Sequence, residues 1–206
     1  MEKDENSKQK ILSAATKLFA HKGFDAVSVR KICKEANANL CLISYHFGGK
    51  QELYNAIIDD LIEKQTRYAN TFLDFSVNPR TLKKQEQIEL LYTVLDKFID
   101  FFYSKITNDL ILLLLKEQQN PDCRIKTPAF EYLKKLIGAV FNLEENSREL
   151  VYQTLFIISQ LNSPRIFPAF SLRQLGQDTF NEQDIKIIRD NIKFYINLTL
   201  KEKGIV

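Results

Sequence analysis

Side chains capable of covalent chemistry are present, but no pattern puts them to work. The two histidines, His21 and His46, stand far apart, with no serine–carboxylate arrangement around either. Cys33, Cys41 and Cys123 lack metal-ligand spacing, and there is no G-x-S-x-G and no glycine-rich phosphate loop. An enzyme is not expected, nor a metal or cofactor. What does gather is a set of hydrogen-bonding and cationic side chains: Ser28, Arg30, Lys31, Asn39, Ser44, Tyr45, His46 and Lys50. Their chemistry is recognition without bond making, suited to phosphate oxygens and other acceptors on an anionic partner.

The apolar residues between them dictate how they are held. Val29, Ile32, Cys33 and Ala36 recur at helical spacing, and so do Leu40, Ile43 and Phe47. Asn37-Ala38-Asn39 lies between, and a sharp turn there needs a residue tolerant of the left-handed region, where Asn is second only to Gly. Ser28 is a suitable N-cap for the first of these helices, and Gly48-Gly49 ends the second. The layout is a helix-turn-helix, whose second helix can lie in the major groove of DNA. A preceding helix, expected from about Ser7 to Lys22, carries Ile11, Ala14, Ala15, Leu18 and Phe19 as one stripe and ends at Gly23.

The rest of the chain also reads as helices. A long fourth one is expected from about Lys50 to Phe75, with two apolar rows facing two partners, before the break at Asn78-Pro79. Further helices are expected over about 85–104 and 106–119, the latter buried because Leu110 to Leu115 is apolar nearly all round. Asn120-Pro121 and Thr127-Pro128 bracket a loop. Helices follow at about 128–141 and 146–161, then a break at Ser163-Pro164 and Pro168, then a last helix from Asn181 to about Lys203. The expectation is an all-α chain of about nine helices: a helix-turn-helix domain over 1–50 and a larger bundle over 51–206.

Composition agrees. Gly and Pro together number only 11 of 206 residues, too few for a turn-rich fold. Residues 1–50 carry 9 Lys and Arg against 5 Asp and Glu, a net +4, whereas the remainder is close to neutral. The basic quarter is the one that holds the helix-turn-helix, as phosphate binding requires. The apolar run at 110–115 is far too short to span a bilayer, and the charged N-terminus has no apolar core. A cytoplasmic protein with no membrane partner is expected.

The run from Ile11 to Lys50 resembles the DNA-binding domain of TetR-family transcriptional regulators. The matching residues are Ile11, Ala14, Ala15, Leu18, Phe19, Gly23-Phe24, Ser28-Val29-Arg30, Ile32, Ala36, Tyr45-His46-Phe47 and Lys50. Ile43 through Lys50 is similar to the I-N-Y-H-F-G-G-K of the CecR-like subgroup, with Ser44 in place of Asn. Asn37 stands where the family usually has glycine, and Cys33 where Ala is common. The resemblance implies that Asn39, Leu40, Cys41 and Leu42 face the groove and that Tyr45 and His46 meet the phosphate backbone. For Asn39 an N-cap role competes for the same side-chain oxygen, and for Leu40 core packing competes. Arg30, Lys31 and Lys50 are further phosphate candidates. The resemblance also implies a homodimer through the last two long helices, with Leu150, Leu155, Ile158, Ile188, Ile192 and Tyr195 as candidate contacts. It implies a small hydrophobic effector in the aromatic-rich bundle, with repression of a palindromic double-stranded operator as the default. The alternative is a constitutive or architectural DNA-binding dimer that answers to no small molecule.

Overall fold

The computed structural model describes residues 2–120, 123 and 125–206, with side chains from residue 6 onward, so the expected break at Pro121 lies outside the described residues. Among these the fold is all helical: ten α-helices and one 3₁₀ turn at Pro79–Thr81. The helices are α1 (Glu2–Lys22), α2 (Val29–Ala36), α3 (Leu40–Phe47), α4 (Lys50–Ala69), α5 (Lys84–Ser104), α6 (Asn108–Gln118), α7 (Pro128–Val140), α8 (Arg148–Ile166), α9 (Pro168–Leu175) and α10 (Glu182–Glu202).

The chain forms two compact units. The first takes Met1–Lys64 and Ile106–Ile125, and the second takes Gln65–Lys105 and Lys126–Val206. The first is therefore wider than the segment 1–50, because it includes most of α4 and all of α6.

In the first unit one core joins five helices. Ile11, Ala15 and Phe19 of α1 are buried with Ile32 of α2, Ile43 of α3, Leu53 and Ile57 of α4, and Leu113 of α6. Polar contacts fasten α6 to this core. Lys116 Nζ donates to the carbonyl of Ala20 in the last turn of α1 (2.6 Å), where a cation complements the helix dipole. His21 Nε2 lies 2.7 Å from Asp109 Oδ1, and the Tyr54 hydroxyl donates to Glu117 Oε2 (2.7 Å). Burial, and then that carboxylate, push the Tyr54 phenol well above its ordinary pKa. The expectation of a buried 106–119 helix holds for Ile111 and Leu113, while Leu110, Leu112, Leu114 and Leu115 are only half-buried.

The most enclosed stretch of the second unit is the end of α7, where every residue from Leu136 to Val140 is buried. Gly138 permits this. A Cβ there would meet Leu150 Cδ2 at 3.3 Å and Arg80 Nη2 at 3.4 Å. Carbonyls at and just past the end of α7 also accept from cations elsewhere in the chain. Lys84 Nζ donates to Ala139 O (2.7 Å), Val140 O (3.0 Å) and Asn142 Oδ1 (2.8 Å), and Arg80 donates to Leu143 O. Burial, with Arg80 nearby, lowers the Lys84 pKa. α5 and α10 are tied by Arg189 to Asp100 and by Lys193 to Asp96 (3.5 Å).

Three boundaries differ from the sequence expectation. α1 begins at Glu2 rather than near Ser7. α4 stops at Ala69, not Phe75, where the Thr71 hydroxyl donates to the carbonyl of Tyr68 (2.7 Å) and the chain turns. α8 runs past Leu161 through Pro164 to Ile166. Pro164 sits in the last turn, so it removes one hydrogen bond near the helix end and does not break the helix.

If Lys84 closes α7, then Lys84→Met leaves three acceptors without their ammonium. We expect a loss of about 1–3 kcal/mol in urea unfolding with little change in slope.

Candidate nucleic-acid interface

α2 starts at Ser28, whose Oγ accepts from Lys31 N (3.3 Å). It ends at Asn37, which adopts φ 49°, ψ 49°, the left-handed conformation expected of the turn. Ala38 N then donates to Cys33 O (2.9 Å), which closes the helix. Asn39 begins α3, and its Oδ1 accepts from Cys41 N (3.1 Å). The Asn39 oxygen is thus occupied as an N-cap, while its amide NH₂ still faces outward. Gly48 closes α3 with φ 90°.

The inward side of this pair is apolar: Ile32, Cys33, Ala36 and Ile43 are buried. Burial raises the Cys33 thiol pKa, leaving it a small core residue and not a nucleophile. On the outward side, Leu40, Cys41, Ser44 and Tyr45 share one exposed arc of α3, at spacing i, i+1, i+4, i+5. Tyr45 is 76% exposed. Leu40 is 46% exposed, so the core role that competes for it is not the one it takes. Leu42 is half-buried and packs against the unit's core. Arg30 and Lys31 are exposed at the start of α2, with Lys31 Nζ donating to Ala26 O (3.2 Å).

His46 and Lys50 are held more tightly than their sequence positions suggest. The His46 ring lies between Tyr45 and Phe47, with centroids 5.0 and 6.0 Å away, and its Nε2 is buried. Lys50 Nζ sits 4.2 Å from the centroid of the Phe24 ring. Phe24 in turn packs on Phe19 (5.5 Å) and Tyr54 (5.4 Å). Lys50 therefore carries its charge on an aromatic support at the edge of the helix-turn-helix. Periodicity gave no sign of this aromatic group, because Phe24 lies in a loop.

The six candidate dimer contacts divide by burial. Leu150, Ile188 and Ile192 are spent in the core of the second unit, Ile158 and Tyr195 are half-buried against it, and Leu155 is 55% exposed. Tyr195 donates to Gln153 Oε1 (3.4 Å) inside the chain. The outward arcs of α8 and α10 carry other large apolar residues: Val151, Tyr152 and Phe156 on α8, and Ile187, Phe194 and Leu198 on α10. Which apolar residues turn outward was not legible in the sequence, because an amphipathic helix with apolar residues on two faces does not say which face turns inward.

Comparison with known proteins gives a consistent picture. Residues 11–57 match the model of bacterial regulatory proteins of the tetR family. Residues 87–202 match the C-terminal domain of the HTH-type transcriptional dual regulator CecR. The CecR protein of Shigella flexneri is 25% identical over 210 residues, covering 97% of this chain and 93% of its own length. The biofilm operon icaADBC HTH-type negative transcriptional regulator IcaR of Staphylococcus epidermidis is 32% identical over 92 residues, 45% of each chain. Among solved structures, a transcriptional regulator from Aquifex aeolicus shares the fold with a TM-score of 0.56 at 18% identity, covering 93% of this chain and 98% of that one.

The left-handed turn residue gives a direct check on the site's scaffold. Asn37→Val should cost about 1–2 kcal/mol in chemical unfolding, whereas Asn37→Gly should be neutral or slightly stabilising, since only the former forces a branched side chain into positive φ.

Proposed function

This chain belongs to the TetR family of bacterial transcriptional regulators, with a CecR-type C-terminal domain, and we propose that it is a repressor. In this reading it binds a palindromic operator as a homodimer and is released by a small hydrophobic effector held in the second unit. The observation that carries the DNA-reading part is the arc of Leu40, Cys41, Ser44 and Tyr45, solvent-facing on a helix whose opposite side is locked into a five-helix core. Repression is supported by the negative regulation named for IcaR; the dual role named for CecR marks activation as the outcome to test against.

Roles follow from placement. Cys41, Ser44 and the Asn39 amide present donors and small groups to base edges. Tyr45, Arg30, Lys31 and Lys50 meet phosphates at the margins, with Ser28 supporting the N-terminus of α2 and the His46 ring, its Nε2 buried, packed beside Tyr45. Leu40, exposed at the start of α3, gives an apolar contact of the kind a thymine methyl accepts, and Leu42 steadies the helix behind it. A lone module reads too few bases, and two copies related by a two-fold axis reach half-sites one turn apart. The apolar arcs of α8 and α10, Leu155 among them, suit that dimer: large apolar patches on a folded chain mark interaction surfaces. No described helix is long and apolar enough to cross a membrane, and we place the protein in the cytoplasm with its DNA. An effector shifts the balance only as far as it prefers the released state.

The test is fluorescence anisotropy with the DNA upstream of the protein's own gene beside a scrambled duplex, at two salt concentrations. Selective binding at two chains per site supports the reading. Equal, salt-labile binding to both duplexes would leave only a non-specific binder. Lys31→Ala should weaken both duplexes alike and reduce the salt slope by about one. Replacing exposed groups only, Leu155→Glu with Phe194→Glu should give a folded monomer on sizing chromatography, with the helical circular dichroism unchanged.

A further inference from the structure

The second unit carries a cleft of about 360 Å³ that neither DNA reading nor dimer formation uses. One wall is the segment after α4, and the other is a stripe of α7 at i, i+3, i+4, i+7: Pro128, Glu131, Tyr132 and Lys135. Its floor is apolar. Phe75 and Tyr132 meet edge to face with centroids 5.7 Å apart, flanked by Val77 and Pro79.

The polar groups of the cleft fall into two sets. Some are already spent on local structure. Ser76 donates through N and Oγ to Asp74 Oδ1 (2.9 and 2.7 Å), and Asn78 Oδ1 accepts from Arg80 N (3.0 Å). The others are not spent. Glu131, Glu145 and Lys135 line the cleft, and their side chains make no hydrogen bond or ion pair with another described residue. Two carboxylates against one ammonium leave the rim negative. Asp74 adds to this from behind: Ser76 holds its carboxyl below the ordinary range, and after burial it is the next cause of the raised Tyr132 pKa.

We propose that this cleft binds a small amphiphilic organic amine in its ammonium form, its ring on the Phe75–Tyr132 floor and its charge between Glu131 and Glu145. Aromatic rings attract a cation through their faces, and the free carboxylates supply the counter-charge. The volume suits one ring with a short tail, at the small end of ligand pockets. An anion of the same shape would meet the negative rim with only Lys135 in its favour. The proposal extends the effector reading above by giving the ligand's charge and place, and its regulatory consequence alone rests on that reading.

The test uses the full chain and isothermal titration calorimetry at low salt. The probes are 2-phenylethylammonium and, as a near-isosteric anion, 3-phenylpropanoate. The cation should bind, and the anion should bind at least about tenfold more weakly. Glu131→Gln with Glu145→Gln should weaken the cation about tenfold. Lys135→Gln, which removes the opposing charge and leaves the carboxylates in place, should tighten it and so reads the same electrostatics in a second variant. Undetectable cation binding, equal affinity for the two probes, or indifference to both variants would overturn the site. The cation is then added to the DNA complex. Binding to the protein without a change in DNA affinity would overturn the effector reading and leave the site standing.

Discussion

The helix-turn-helix depends on one shared core. α2 and α3 are eight residues each, too short to persist alone in water, so their angle is set by what they bury. Ile32 and Ile43 enter a cluster already built by α1 and the start of α4 and completed by Leu113 of α6. Remove that burial and the outward arc of α3 has no fixed direction. The recognition surface is therefore a property of five helices, three of which lie outside the helix-turn-helix itself.

α6 makes this arrangement more than a local one. The chain leaves the first unit at Lys64, builds α5 in the second, returns at Ile106 to lay α6 against α1, and leaves again after Ile125. The reader is covalently linked to the other unit three times. Lys116 on the Ala20 carbonyl, Tyr54 on Glu117 and His21 beside Asp109 fix the returning helix to α1 and α4.

Much of this was legible in the sequence, and the rest failed for identifiable reasons. The helix-turn-helix was legible because apolar spacing, the Ser28 and Asn39 caps and the turn at Asn37 all pointed to one local geometry. Asn37 takes the left-handed conformation that its position demanded. The end of α4 was not legible, since Phe72, Leu73 and Phe75 keep apolar character after the helix stops and pack as a non-helical segment. Nor was the inward face of α8 and α10. Both helices are apolar on two sides, and only the fold shows that Leu150, Ile188 and Ile192 belong to the core while Leu155, Phe156 and Phe194 do not. The partnership of Lys84 with the end of α7 spans more than fifty residues and left no local trace. The cleft at Phe75 and Tyr132 joins two segments just as distant, which no pattern along the chain could announce.

The central claim is that two copies of α3 read the major groove in a two-fold arrangement. Footprinting with hydroxyl radicals and dimethyl sulfate on the upstream DNA tests it most directly. The account predicts two protected patches on one face of the duplex, about 34–36 Å apart, with guanine N7 atoms shielded inside them and symmetry about the midpoint. A single patch, uniform protection without a centre, or protection confined to the minor groove would contradict it.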